Sequence, residues 1–168
     1  MALMRVFYQD WQMGCCGTPF SVGEEVAWRL VPLDGQQLRD GHCYGAEAWV
    51  ENHGGPDRET AGRVRAIELV HREYTARLKP HALDPIDPEP GKPVFRPYPY
   101  TREPVPGAPT LEPVDTCPKW FEDEEPGPGP GPHRIRRTEG ALITLEVLEA
   151  RALPAREALD DLQDPASP

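Results

Sequence analysis

Proline sets the first limit on what this chain can fold into. Of its 22 prolines, 16 lie between Pro80 and Pro132. Proline donates no hydrogen bond to a ladder and breaks a helix, so the sequence predicts that no regular element runs through most of that stretch. Residues 80–132 also hold 10 acidic against 4 basic side chains, and so carry −6 of the formal net charge of −10. They read as an acidic Pro/Gly-rich insertion, largely disordered, whose closing "PGPGPGP" is a flexible or extended linker. Within it Val94, Phe95, Tyr98, Tyr100, Trp120 and Phe121 are able to dock on a folded core as short edge pieces. What remains is about two thirds of the 168 residues, small but sufficient for one core.

The flanking sequence is dominated by alternation. In "LMRVFYQDWQM", residues 3–13, Met4, Val6 and Tyr8 share one side, and the β-branched and aromatic content predicts a strand. "CCGTPFSVG" follows as a turn or hairpin-like loop marked by Gly14, Gly17, Pro19 and Gly23. "EEVAWRLVPL" alternates again through Val26, Trp28 and Leu30, and Asp34-Gly35 closes it with a turn. Residues 36–60 read as a long surface loop with a short ordered piece around Ala46–Val50.

"TAGRVRAIELVHREYTARL" fits two patterns. Val64, Ile67, Val70 or His71, Tyr74 and Leu78 lie on a helical face, whereas Val64/Ala66 followed by Ile67/Leu69 is a strand with one phase slip. Gly62 and the β-branched residues favour the strand, and a β-bulge produces such a slip. In "RRTEGALITLEVLEA" the residues Ala141, Ile143, Leu145 and Val147 occupy one face of a clear strand. Pro154 then opens "PAREALDDLQD", a short C-terminal helix. The fold class expected is all-β: a small SH3-like or OB-like barrel formed by residues 1–79 and 133–150, with the insertion at 80–132 and a marginal helix and tail at 151–168.

Several function classes are disfavoured. A pI near 4.9 argues against a phosphate-backbone partner, with Arg134, Arg136 and Arg137 as a local basic exception. No stretch approaches the ~20 apolar residues that span a bilayer. The N-terminus lacks a basic region followed by an apolar run, and Arg5 interrupts its apolar strand. The expectation is a soluble cytoplasmic protein whose thiols stay reduced. "GTPFSVG" lacks the lysine and the following helix of a phosphate-binding loop.

Cys15 and Cys16 are the chemical question. Structural metal sites draw ligands from spaced pairs such as C-x-x-C, and neighbours on an extended chain point to opposite sides. The metal-site alternative is Cys15, Cys16, His42 and Cys43, with Cys117 and His53 as further donors. A nucleophile would need a base in reach, for which Cys16 with His42, His53 or His71 is the candidate. A vicinal disulfide needs an oxidising setting. The reading preferred from sequence is a pair of small, buried, inert thiols in a turn, with no cofactor. The aromatic residues suggest another use. Trp11, Trp28, Trp49, Phe7, Tyr8, Phe20 and Tyr44 crowd into the first fifty positions. Most of these belong to a core, but a surface made by Trp11, Phe20 and Trp28 is a candidate ligand-binding patch for a protein or peptide partner.

With "WQMGCCGTPFSVGEEVAW", "GRVRAI" and "LITLEVLEA", the chain resembles an uncharacterised family of small proteins from high-GC Gram-positive bacteria, a domain of unknown function. The pattern is WQM-x-CCG-x-PF-x-VG-x-x-V-x-W, and it extends over roughly residues 4–79 and 135–149, leaving the insertion outside. The resemblance implies a shared fold and carries no activity, cofactor or catalytic residue. The function expected is a non-enzymatic binding module; the alternative is a metal- or thiol-dependent enzyme centred on Cys15 and Cys16.

Overall fold

The computed structural model describes residues 2–148; the expected C-terminal helix lies outside them. The chain runs through β1 (Ala2–Gln9), α1 (Asp10–Cys16), β2 (Phe20–Ser21), β3 (Glu25–Trp28), β4 (Leu30–Pro32) and α2 (Gly35–Arg39). A 3-10 turn (His42–Gly45) and β5 (Ala48–Val50) lead to the long β6 (Thr60–Leu78). Three short strands then follow, β7 (Tyr100–Pro104), β8 (Thr110–Val114) and β9 (Thr116–Cys117), before β10 (His133–Val147).

The main sheet has the order β3-β6-β10-β1-β5-β4, nearly closed into a barrel. Closure comes from the chain itself: β3 and β4, the two ends of that order, are separated by Arg29 alone. All pairings are antiparallel except β1 with β5. The inside of the sheet holds Val6, Tyr8, Val64, Ile67, Ala141, Ile143 and Leu145, each at most 3% exposed. On the other face Phe7, Val70 and Leu142 form a second cluster with Ala46. The alternation of Val6, Phe7 and Tyr8 between the two clusters follows from the two-residue period of a strand.

The ambiguous segment 62–78 is strand throughout, and the phase slip is present. Thr144 pairs with Ala66 but Leu145 with Val64, so Arg65 is an extra residue in β6. Arg65 and Ala66 are both exposed between buried Val64 and Ile67. A second irregularity skips Glu139 in β10, between the pairs Thr138–His71 and Gly140–Val70.

Three local expectations are corrected. "DWQMGCC" is a helical turn rather than the end of a strand and a loop. Its Gln12 and Met13 are buried, and Gly17 terminates it by donating to the Gln12 and Met13 carbonyls. A Cβ at Gly17 would lie 2.8 Å from the Met13 Cα and 2.9 Å from its carbonyl oxygen, backbone atoms that cannot give way, so glycine is required there. Asp34 caps α2 through a full capping box with Gln37 instead of closing a turn, so residues 36–60 carry α2, the 3-10 turn and β5 between irregular pieces.

The third correction concerns extent, since the proline-rich stretch does supply short edge pieces as its sequence allowed: Tyr100 lies in β7, while Val94, Phe95 and Tyr98 lie in no strand. Residues 100–117 contain three strands, with β8 and β7 laid in succession along β6 beyond β3. In the main sheet β7 and β8 have β6 as their one partner, and on such an edge proline's missing N–H costs no ladder bond. Pro113 sits opposite Glu68 on that edge. Residues 81–97 form no helix or strand.

Candidate functional site

α1 brings together what the sequence had kept apart. Consecutive helical residues are about 100° apart around the axis, so Cys15 and Cys16 both face solvent from the last turn. They are exposed, not buried as expected, and their sulfurs are joined as a disulfide between adjacent residues. His53 closes on them from the loop after β5: its Nε2 lies 3.1 Å from the Cys15 sulfur and 3.5 Å from that of Cys16.

His53 is fixed by a buried polar chain. Gln12, 1% exposed, accepts the Asn52 backbone N–H at 2.8 Å through its side-chain oxygen. The Asn52 amide donates to the Tyr8 hydroxyl at 2.8 Å. The loop is thereby tied to α1 and β1. Behind the imidazole, Glu51 accepts the His53 backbone N–H at 2.8 Å, and its carboxylate lies 3.9 Å from Nδ1. That backbone bond, more than any other cause, holds the Glu51 carboxyl below the usual carboxylate range. Trp11, one turn before Cys15, stacks on the imidazole with ring centres 5.0 Å apart.

A second wall comes from the insertion. Trp120, 70% exposed, lies against Gly14, where a Cβ would come within 2.9 Å of its ring. This explains a glycine inside a helix, where it ordinarily costs about 1 kcal/mol relative to alanine. Lys119 donates to the Gly17 carbonyl at 3.3 Å and holds its ammonium 5.6 Å from the Trp120 ring centre. Arg137 clamps the same region, with Asp123 at 2.9 Å and Asp10 at 3.7 Å. Between the walls is an open cleft of about 310 Å³ lined by Asp10, Trp11, Cys15, Lys119, Trp120 and Phe121, together with Gly14. Burial raises the Asp10 carboxyl above its ordinary value, against the lowering effects of the Trp11 backbone N–H and Arg137.

The three aromatics singled out in the sequence do not make one surface. Phe20 is 3% exposed and packs with Tyr8 and half-buried Trp28, at ring distances of 6.1 Å and 4.9 Å. Trp11, 51% exposed, stands with His53 instead. His42 and Cys43 lie in the 3-10 turn beside a different cleft, with Phe7, Tyr44 and Arg72. They do not join Cys15 and Cys16. Cys117 is fully buried on β9, where desolvation pushes its thiol up to about 12. Burial also raises the Cys43 thiol.

This distribution predicts a reactivity order. In protein reduced and then treated with a maleimide, Cys15 and Cys16 label first, Cys43 more slowly, and Cys117 only on unfolding, because the thiolate is the nucleophile. Peptide mapping by mass spectrometry reads the order; labelling of Cys117 in folded protein at the rate of Cys15 would contradict it.

The fold and site thus define a small barrel-like β-domain with an exposed cysteine–histidine cluster beside an aromatic cleft. The chain belongs to a family of unknown function (DUF6578), matched over residues 2–147. The match includes the proline-rich stretch that the resemblance had left outside. No curated protein and no solved structure matches the chain. Among the described residues no helix is long and apolar enough to cross a membrane.

Proposed function

We propose that this domain is a non-enzymatic binding module that accepts a cationic side chain, lysine or arginine, of a protein partner between Trp11 and Trp120. The observation that carries the reading is the pairing of two exposed tryptophans from separate parts of the chain across one open cleft with a carboxyl group on its wall. Aromatic faces attract cations, and the chain's own Lys119 already places an ammonium over the Trp120 ring. The net charge of −10 favours encounter with basic segments. Tryptophans at the centre of an interface commonly contribute about 2 kcal/mol or more each.

The test is a titration of the full chain with a synthetic arginine/lysine-rich peptide, followed by tryptophan fluorescence, with an acidic peptide of equal length as control. Saturable binding of the basic peptide alone, weakened about 30-fold or more by Trp11→Ala and by Trp120→Ala, supports the reading. Binding of equal strength in both variants, or none in the parent, overturns it.

A further inference from the structure

The sulfurs of Cys15 and Cys16 and the Nε2 of His53 lie within 4.8 Å of one another, the one such cluster of potential metal ligands among the described residues. We propose that the reduced Cys15–Cys16 pair and His53 form a three-ligand site for a thiophilic d10 ion, zinc(II) being the one the donor set fits, with the fourth coordination position left open. This goes beyond the cation-binding reading and does not rest on it.

The donor chemistry selects the ion class. Two thiolates and an imidazole suit zinc, whereas calcium and magnesium require oxygen ligands. The cluster also has the surroundings of a metal site. A ligating imidazole ordinarily presents its second nitrogen to a carboxylate or carbonyl, and the Glu51 carboxylate occupies that side of His53, 3.9 Å from Nδ1. The imidazole is held in place before any ion arrives, by Trp11 stacked on its face and by the Gln12–Asn52 hydrogen bond beneath its loop. The stacked pair itself lies outside the core: Trp11 and His53 are both exposed.

The described state has the two sulfurs joined, so loading begins with reduction. A dithiol reductant transfers two electrons and two protons to the Cys15–Cys16 bond, giving two thiols and leaving as its own disulfide. Zinc(II) then displaces the two thiol protons, which pass to water, and binds the resulting thiolates and the His53 Nε2. The oxidised pair offers no thiolate, so the site is open to metal in the reduced chain alone.

The full chain, reduced under exclusion of air, is loaded with zinc(II), desalted and analysed for metal, and in parallel loaded with cobalt(II) for absorption spectroscopy. Expected are one zinc per chain, thiolate-to-cobalt charge-transfer absorption in the parent, and no retained metal in the oxidised chain. Cys15→Ser, Cys16→Ser and His53→Gln each weaken binding by well over about tenfold, while Glu51→Gln, which leaves the ligands in place, weakens it about 10- to 100-fold. Cys43→Ser and His42→Ala leave it unchanged. The cobalt spectrum of the parent reads thiolate ligation even where a variant fails to fold. No metal above background on the reduced chain, metal retained in Cys15→Ser and His53→Gln, or an equal loss in Cys43→Ser overturns the site.

Discussion

Gly140→Ala is expected to destabilise the domain by about 2–4 kcal/mol, while Gly45→Ala costs about 1 kcal/mol. Both glycines have positive φ, +151° at Gly140 and +84° at Gly45, so backbone conformation alone does not separate them. Surroundings do. A Cβ at Gly140 would lie 2.3 Å from the Tyr8 carbonyl oxygen and 3.0 Å from the Phe7 ring, whereas at Gly45 nothing lies within 4 Å. The Tyr8 carbonyl belongs to the backbone of β1, paired with β10 along its whole length, so relief requires moving a strand in the middle of the sheet. The neighbouring skip at Glu139 fixes the same point from the β6 side. Urea unfolding with an unchanged m-value measures the difference; equal midpoints for the two variants would mean that β1 and β10 separate freely at this end.

The parts of this fold that were legible in the sequence are those governed by local period. Ala141, Ile143 and Leu145 alternate inward in β10 because one buried face imposes a two-residue repeat. The slip after Val64 was visible for the same reason: one inserted residue, Arg65, shifts the repeat without ending it. Gly62 reads locally as an element start, yet its role is tertiary. A Cβ there would come within 2.5 Å of Leu145, so the glycine makes room for that side chain.

The site was less legible because non-local contacts build it. α1 has seven residues, too few for a clear helical period, and its burial of Gln12 and Met13 depends on the loop and sheet around it. Reading "CCG" as extended chain sent the two thiols to opposite sides, and a single helical turn reverses that conclusion. His53 reaches the thiols across 37 residues of sequence by way of the Gln12–Asn52 bond, which no spacing rule encodes. Trp120 comes from still farther away. The one local hint for it was a large aromatic residue inside a polar, proline-rich stretch.

Proline count also conceals a division within the insertion, and excising its two parts is expected to have opposite consequences. Replacing residues 81–97 with a short Gly/Ser linker costs about 1 kcal/mol or less, because that stretch is almost wholly exposed, Phe95 at 83% included, and loop closure depends only weakly on length. Excising residues 99–121 removes β7, β8 and β9 together. The outer edge of β6 then loses its partners along Ile67–His71 and Tyr74–Leu78. The core loses fully buried Cys117, with Val114 and Phe121 packed against it. Buried His71 loses Glu112, 2.6 Å from its Nε2, and keeps Thr138 on the other nitrogen. Each buried apolar side chain is worth about 1.5–3 kcal/mol, and each buried polar group left unpaired costs about 1–3 kcal/mol. The total is about 5 kcal/mol or more, comparable to the whole stability of a small domain. The 99–121 deletion should therefore show no cooperative unfolding by circular dichroism, and the 81–97 deletion should keep the parent's urea midpoint. A 99–121 deletion that still unfolds cooperatively within about 2 kcal/mol of the parent would show that β6 and β10 close the barrel without the strands of the insertion.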